Sequence, residues 1–121
     1  MAAPSDEELR AIEARTWSLL DRYAGELERA TIYGLPSLRW PGAKAHEYFA
    51  AVKRGTSYVS LYLLPADAHP EALVAASPAL LKRRTGKAAF TFPAVDAAVA
   101  TDLEALLGRL FERYRADHAA R

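Results

Sequence analysis

Apolar side chains in the first part of the chain recur at the spacing of an amphipathic helix. Ser5 and Glu8 form a capping-box pattern, in which a hydroxyl and a carboxylate each satisfy a free backbone N–H. Gly25 weakens the last turn, so the pattern predicts a helix that ends between Gly25 and Arg29. The stripe at 100° per residue consists of Leu9, Ile12, Leu19, Leu20, Tyr23 and Leu27.

The middle of the chain changes to the two-residue period of strands. Glycine and proline interrupt residues 31–42, which predicts two short strands or extended segments joined by a turn. Gly55 separates two runs with strand character, residues 45–54 and residues 56–64, and His46 is expected near the start of the first strand. In the second run, apolar side chains alternate with tyrosine and serine. This pattern predicts an antiparallel hairpin.

Two prolines predict short helices after the hairpin. Pro70 and Pro78 suit the first helical position, with His69 and Ser77 before them as caps. The expected helices cover about residues 70–76 and 78–84.

A basic run and a glycine follow these helices. Lys82, Arg83 and Arg84 fall in the predicted last turn, where cations stabilise the negative end of the helix dipole. Gly86 stands where a left-handed C-terminal cap is expected. Residues 87–92 then have the pattern of a strand, with two phenylalanines on one face.

A second leucine-rich stripe predicts a long final helix. This helix is expected to begin at the capping-box pattern of Thr101, or earlier near Asp96, and to run to about residue 116. Residues 1–4 and 117–121 are expected to fray. The whole chain therefore reads as a single α+β domain over residues 1–121. We expect a mainly antiparallel sheet of about five strands, terminal helices on one face, and short helices before the last strand.

Composition restricts the possible functions. Hydrophobic residues make up 51% of the chain and charged residues 26%, which is an ordinary globular balance. The net charge of +1 argues against a nucleic-acid partner, because phosphate neutralisation needs a basic excess. Absence of cysteine excludes disulfides and thiolate chemistry. With no signal-peptide pattern and no apolar run near ~20 residues, we expect a soluble cytoplasmic protein without a membrane segment.

The Gly86-Lys87 pair does not belong to a phosphate-binding loop. Leu81 stands where the first glycine of GxxxxGK[ST] is required, and Ala88 stands where the magnesium-binding hydroxyl is required. The surrounding basic run, residues 82–87, allows two interpretations. It is a patch that binds an anion, or its first three cations complement the helix C-terminus while Lys87 is simply exposed.

Metal binding has one candidate. The three histidines lack the spacing that prepares a metal site. Carboxylates on the outer side of the first helix form either a ridge for hard cations such as iron or the usual partners of a helix dipole. These are Asp6, Glu7, Glu8 and Glu13.

Aromatic residues give a second candidate. Trp40, Tyr48, Tyr58 and Tyr62 either gather on one sheet face as a stacking platform or apolar pocket, or lie in the core beneath the helices. The sequence contains no GxSxG nucleophile elbow.

Several segments together resemble a known family. In order they are TIYGLPSLRW, YFAAVKRGTSYVSLYLLP, SPALLKRRTGKAAFTFPAVD and LFERYR. They are similar to the YdhG-like domain family, a bacterial domain of unknown function. The resemblance implies a compact α+β domain with a frataxin-like arrangement of helices on an antiparallel sheet. One member is regarded as a frataxin-like iron chaperone, and the family supplies no accepted catalytic residues.

Three functional hypotheses follow. The first is a non-enzymatic binding or interaction module, monomeric or weakly dimeric and without a cofactor, that recognises a small molecule or a protein. Its surface would combine basic and aromatic groups: Lys53, Tyr58, Tyr62, Arg83 and Lys87. The second is an iron chaperone that uses the carboxylates of the first helix. The third is an enzyme with a cryptic pocket holding an acid or base of shifted pKa.

Overall fold

The computed structural model describes residues 4–119 of the 121-residue chain. Its helices are α1 (Asp6–Leu20), α2 (Leu64–Ala68), α3 (Pro78–Leu81) and α4 (Ala97–Ala119). Its strands are β1 (Glu28–Ile32), β2 (Leu35–Arg39), β3 (Tyr48–Arg54), β4 (Val59–Leu63) and β5 (Ala89–Phe92). Short 3₁₀ turns cover Asp21–Tyr23, Ala45–Glu47 and Pro70–Leu73.

The five strands form one antiparallel sheet whose order follows the chain, β1-β2-β3-β4-β5. Terminal helices and short helices before the last strand complete the predicted α+β architecture, which is thereby confirmed. In the part of the chain described, no helix is long and apolar enough to cross a membrane.

The hydrophobic core lies between one sheet face and the helices. Val52, Leu61 and Phe90 are at most 1% exposed and occupy neighbouring positions across β3, β4 and β5. The ring of Phe111 on α4 stacks on Tyr23 at 4.5 Å between centroids. Burial of these large side chains is the main source of stability, since each fully buried one contributes about 1.5–3 kcal/mol.

A bulge in β3 changes which residues face the helices. Leu38 pairs with Ala50 and Arg39 pairs with Tyr48, so Phe49 is an extra residue in β3. The fully buried ring of Phe49 lies 5.4 Å from that of Phe111. Because the bulge absorbs one residue, Tyr48 lies on the sheet face opposite the helices.

The β1–β2 connection is a two-residue turn with left-handed backbone at both positions. Tyr33 has a φ of 52° and Gly34 a φ of 76°, as type I′ hairpin turns require. Glycine adopts this conformation freely, whereas a residue with a Cβ loses roughly 1–2 kcal/mol. Tyr33 therefore holds a strained position in the chain.

Element boundaries near α1 and β3 differ from the predictions. The α-helix ends at Leu20, before the predicted end, and continues only as the 3₁₀ turn to Tyr23. His46 does not open a strand, because the Glu47 N–H bonds to the Lys44 carbonyl at 2.9 Å and closes a 3₁₀ turn.

The predicted cap at His69 is also wrong. Its side chain does not cap the following turn, because it accepts no backbone N–H there. Its Nε2 lies 2.7 Å from Asp117 Oδ2 and its Nδ1 lies 3.2 Å from Glu71 Oε1. Ser77, in contrast, accepts the Leu80 N–H at 3.2 Å, so its capping role is confirmed. Helix α2, which precedes His69, was not predicted.

The segment around Gly86 is a turn into β5 rather than a helix cap. Helix α3 ends at Leu81, and Gly86 lacks a left-handed φ. Arg84 instead pairs with Phe90 in an antiparallel bridge. The cations that were predicted in the last helical turn therefore follow the helix, with Lys82 at its C-cap.

Helix α4 begins where the earlier of the two predicted starts placed it. The Asp96 carboxylate accepts the Val99 N–H at 2.8 Å. Thr101 is not a cap, because its hydroxyl donates to the Ala97 carbonyl inside the helix. The helix continues through Ala119, and of the ends expected to fray, residues 1–3 and 120–121 lie outside the described residues.

Candidate functional site

The sheet face opposite the helices, here called the open face, carries two rows of side chains across the strands. One row runs from Ser37 through Ala51 and Tyr62 to Ala89, each residue paired with the next. A second row runs through Lys53, Ser60 and Thr91. Strand side chains alternate between faces, so neither row contributes to the core beneath the helices.

A basin of about 410 Å³ lies on the open face. We call it the tyrosine basin, and its lining residues are Ile32, Tyr33, Leu35, Tyr48, Ala51, Lys53 and Tyr62. Ala51 is 1% exposed and pairs with Tyr62. Because its side chain ends at Cβ, the surface is depressed between the larger residues around it.

A second basin of about 450 Å³ adjoins the first at Lys53 and Tyr62, which line both. We call it the hydroxyl basin, and its other lining residues are Arg54, Gly55, Thr56, Tyr58 and Ser60. A Cβ at Gly55 would lie 2.9 Å from the Tyr58 carbonyl oxygen, which accepts the Gly55 N–H. The hairpin that shapes this basin therefore requires glycine.

The charge in the two basins is positive. Lys53 is the charged side chain of the tyrosine basin, and Arg54 is added in the hydroxyl basin. Among the described residues, no carboxylate belongs to either lining. Arg54 lies 3.3 Å from Glu13 of α1, so part of its charge is already balanced.

Two hydroxyl groups on the open face have unusual surroundings. Burial, reinforced by Tyr62, Tyr33 and Asp67, raises the pKa of Tyr48 above its usual value. The hydroxyl therefore stays protonated at neutral pH and is a donor rather than a base. Ser37 Oγ is buried beside Ala51, and it has no hydrogen-bond partner among the described residues.

The structure brings together three of the five residues predicted for ligand binding. Lys53 and Tyr62 line both basins, and Tyr58 lines the hydroxyl basin. Neither Arg83 nor Lys87 is among the lining residues of these basins. Their carbonyl oxygens instead accept hydrogen bonds, from the Thr91 N–H and from the Arg84 guanidinium respectively.

The aromatic residues divide between two places. Tyr48, Tyr58 and Tyr62 lie on the open face, as the stacking-platform reading expects. Trp40 instead packs against the core and lies 6.2 Å from the His118 ring. Tyr33 was missed, although its position beside a glycine between two short strands is a signal for a tight turn.

The proposed iron ridge is largely engaged in structural contacts. The Glu8 carboxylate accepts the Ser5 N–H at 3.2 Å, and Glu13 pairs with Arg54. Asp6 and Glu7 occupy the first turn of α1, where acids favour the helix dipole. Within residues 4–119, no group of three or more histidine or carboxylate side chains is arranged to hold a metal ion.

Comparison of the chain with protein-family models, with curated proteins and with solved structures finds no match. The fold and the site therefore define the class: an α+β domain with one helix-covered sheet face and one open face. That open face carries a basin lined by tyrosines and a lysine. The arrangement of helices on an antiparallel sheet is compatible with the frataxin-like architecture.

Proposed function

We propose that this protein is a non-enzymatic binding module and that the tyrosine basin is its site. The observation that carries the proposal is the convergence of Tyr33, Tyr48, Tyr62 and Lys53 on a sheet face that no helix covers. Aromatic walls with one charged group are typical of pockets that bind small molecules, which measure roughly 300–1,000 Å³. The volume of about 410 Å³ favours a small ligand.

The chemistry of the basin supports binding rather than catalysis. Its polar groups are tyrosine hydroxyls and the Lys53 ammonium, and the raised pKa of Tyr48 makes an ionised base rarer. Among the hydrogen bonds of the described residues, none joins a hydroxyl nucleophile of these basins to a basic side chain, as nucleophilic catalysis needs.

The family and cellular setting form part of the same proposal. Membership of the YdhG-like family is supported by the order of the segments around Gly34, Gly55 and Gly86 together with the five-stranded antiparallel sheet. The proposed protein is cytoplasmic and monomeric or weakly dimeric, and its near-neutral charge disfavours nucleic acid as a partner.

The direct test is a binding map. A library of aromatic, aliphatic, cationic and anionic fragments would be added to isotope-labelled protein, and amide shifts followed by NMR. We expect shifts to cluster at residues 32–35, 48–53 and 60–62. Ala51→Leu should fill the floor of the tyrosine basin and remove these shifts. A library that moves only amides of α1 or α4, or none, would refute the proposal.

A circular dichroism spectrum and an unfolding curve of Ala51→Leu are the necessary control, because an added side chain at a buried position also strains its surroundings. Lys53→Met avoids this problem, since it keeps the length of an exposed side chain and removes its charge. The proposal expects Lys53→Met to fold normally and to bind anionic fragments less tightly.

A further inference from the structure

The tyrosine basin and the hydroxyl basin form one continuous surface with two chemical halves. One half is apolar and aromatic, with Ile32 and Leu35 beside the tyrosines. The other half presents the hydroxyls of Thr56, Tyr58 and Ser60. Lys53 and Tyr62 line both, so they mark the boundary between the halves.

We infer that the ligand is a planar aromatic molecule with an anionic substituent, its ring in the tyrosine basin and its anionic group at Lys53. The inference rests on the proposed function, and it adds the chemical class and the orientation of the ligand. The anionic group is a carboxylate or a phosphate, since both present oxygens that accept from an ammonium and from hydroxyls.

Tyr33 supplies the argument for an aromatic ring. Its side chain is 92% exposed, and its backbone is left-handed. Neither property stabilises the fold. Asparagine or glycine adopts this turn conformation at lower cost, and an exposed ring contributes little packing energy. A strained residue that the fold does not require indicates a functional constraint. Together with Tyr48 and Tyr62, Tyr33 gives the basin three rings on which a flat ligand can stack.

Lys53 and its neighbours supply the argument for an anion. Neither lining includes a carboxylate from residues 4–119, and the hydroxyl basin adds donors from Thr56 and Ser60. Glu28, on β1, is paired with Arg39 at 2.8 Å, so its charge is balanced. An anionic group therefore meets donors and a cation, whereas a cationic ligand would be repelled.

The distribution of charge along β3 favours one orientation. Its charge acts on Tyr48, at the first residue of β3. Lys53 lies near the opposite end of the same strand. The anionic group is therefore favoured beside Lys53 and the β3–β4 turn, and the ring extends from there toward Tyr48.

Calorimetric titration with matched probes tests the inference. The probes are 2-naphthoate, 2-naphthyl phosphate, neutral 2-naphthalenemethanol and the saturated decahydro-2-naphthoate. We expect one of the two aromatic anions to bind about tenfold or more tightly than the neutral probe, as one charge-assisted hydrogen bond provides. We expect 2-naphthoate to bind more tightly than its saturated counterpart, because only a flat ring stacks on the tyrosines. The better anion identifies the group as carboxylate or phosphate.

Variants locate the effect. Lys53→Gln should weaken the aromatic anion about tenfold and leave the neutral probe unchanged. Tyr33→Ala should weaken all aromatic probes. Arg10→Gln is the matched control, because it removes one cation from α1, which packs on the other sheet face. It should change none of the affinities.

Several results would overturn the inference. If the neutral probe binds as tightly as the anions, or if Lys53→Gln weakens both equally, the anionic group is not recognised. If only fragments of another class occupy the basin, the inference fails while the proposed function stands. If sedimentation shows dimers that Tyr33→Ala or Lys53→Gln dissociates, the occupant of the open face is a second copy of the chain and the inference fails. If no fragment binds the basin, both the inference and the proposed function fail.

Discussion

The hydroxyl of Tyr114 lies 2.8 Å from the backbone nitrogen of Trp40, whose N–H it accepts. The same hydroxyl donates to the carbonyl oxygen of Glu47 at 2.6 Å. Tyr114 is on α4, and its two partners stand on either side of the β2–β3 connection. One side chain thus joins the last helix to the segment that leads into the open face.

Removing this hydroxyl should therefore destabilise the fold. We expect Tyr114→Phe to lower the free energy of unfolding by about 1–3 kcal/mol, because a partly buried N–H and carbonyl lose their partner. Urea unfolding followed by tryptophan fluorescence measures the change. Tyr58→Phe is the control, since that side chain is 45% exposed, and it should change stability by less than ~0.5 kcal/mol. Equal effects in the two variants would contradict the assignment.

At the β1–β2 turn, stability and binding are expected to change in opposite directions. Tyr33→Asn should raise the free energy of unfolding by roughly 0.5–1 kcal/mol, because asparagine tolerates the left-handed backbone. It should also weaken aromatic ligands. Tyr33→Ala removes the ring but keeps the strain, so it should weaken binding without the gain in stability. A stabilised Tyr33→Asn variant with unchanged binding would show that the ring has no part in recognition.

His69 should make stability depend on pH. Its hydrogen bond to Asp117, with further help from Glu71, raises its pKa above the usual value of 6.5 despite partial burial. Both ring nitrogens face carboxylate oxygens, so the protonated ring is favoured in the folded state. The resulting stabilisation is present below pH 6.5 and is lost as the pH rises through the higher folded-state pKa.

Urea unfolding at pH 5.5 and pH 8.5 tests this linkage. We expect His69→Gln to lose about 1 kcal/mol or less at the lower pH, as a partly exposed ion pair provides, and less at the higher pH. Asp117→Asn should reduce the same pH dependence, and the double variant should lose little more than either single one. A loss in His69→Gln that is equal at both pH values would refute the linkage.

Gly55 and Gly25 offer a matched pair of substitutions. A Cβ at Gly55 meets the Tyr58 carbonyl at 2.9 Å, whereas at Gly25 it meets no atom within 4 Å. Gly55→Ala should therefore lower the free energy of unfolding by about 1–3 kcal/mol and reshape the hydroxyl basin. Gly25→Ala should be neutral or stabilising by about 0.4–1 kcal/mol. Comparable unfolding midpoints for the two variants would contradict the close approach.

The iron hypothesis has its own measurement. Anaerobic calorimetric titration with ferrous iron should give no saturable heat above the buffer, because Glu8 and Glu13 already bind a backbone N–H and a guanidinium. Glu13→Gln is the useful comparison. Saturable heat that this variant abolishes would support an iron site on α1 and contradict our expectation.

Local patterns predicted much of the fold but failed where distant contacts decide. Alternation in Val59–Leu63 identified β4, and the Ser5–Glu8 capping box identified the start of α1. The bulge at Phe49 could not be read, because strict alternation puts Tyr48 on the same face as Ala50 and Val52. The three cations before Gly86 suggested the end of a helix, so Gly86 was predicted as its cap. The bridge between Arg84 and Phe90, which sequence spacing does not show, makes this segment a turn into β5 instead.

The same reasoning explains which site residues could be found. The two-residue period of the predicted hairpin is enough to place Lys53 and Tyr62 on the face opposite the apolar side chains. Tyr48 was named among the aromatic candidates, but only the bulge puts it on the open face, and Tyr33 reaches the basin only through the handedness of its turn. Both depend on backbone geometry that sequence spacing alone does not specify.

The alternation of Val52 with Lys53 and of Leu61 with Tyr62 has a consequence for the history and redesign of this chain. Each strand carries two sets of positions, one that packs beneath the helices and one that belongs to the open face. Substitutions at the exposed members of the second set, such as Lys53, leave the first set in place, so the surface of the open face can drift, or be redesigned, while the fold is inherited unchanged.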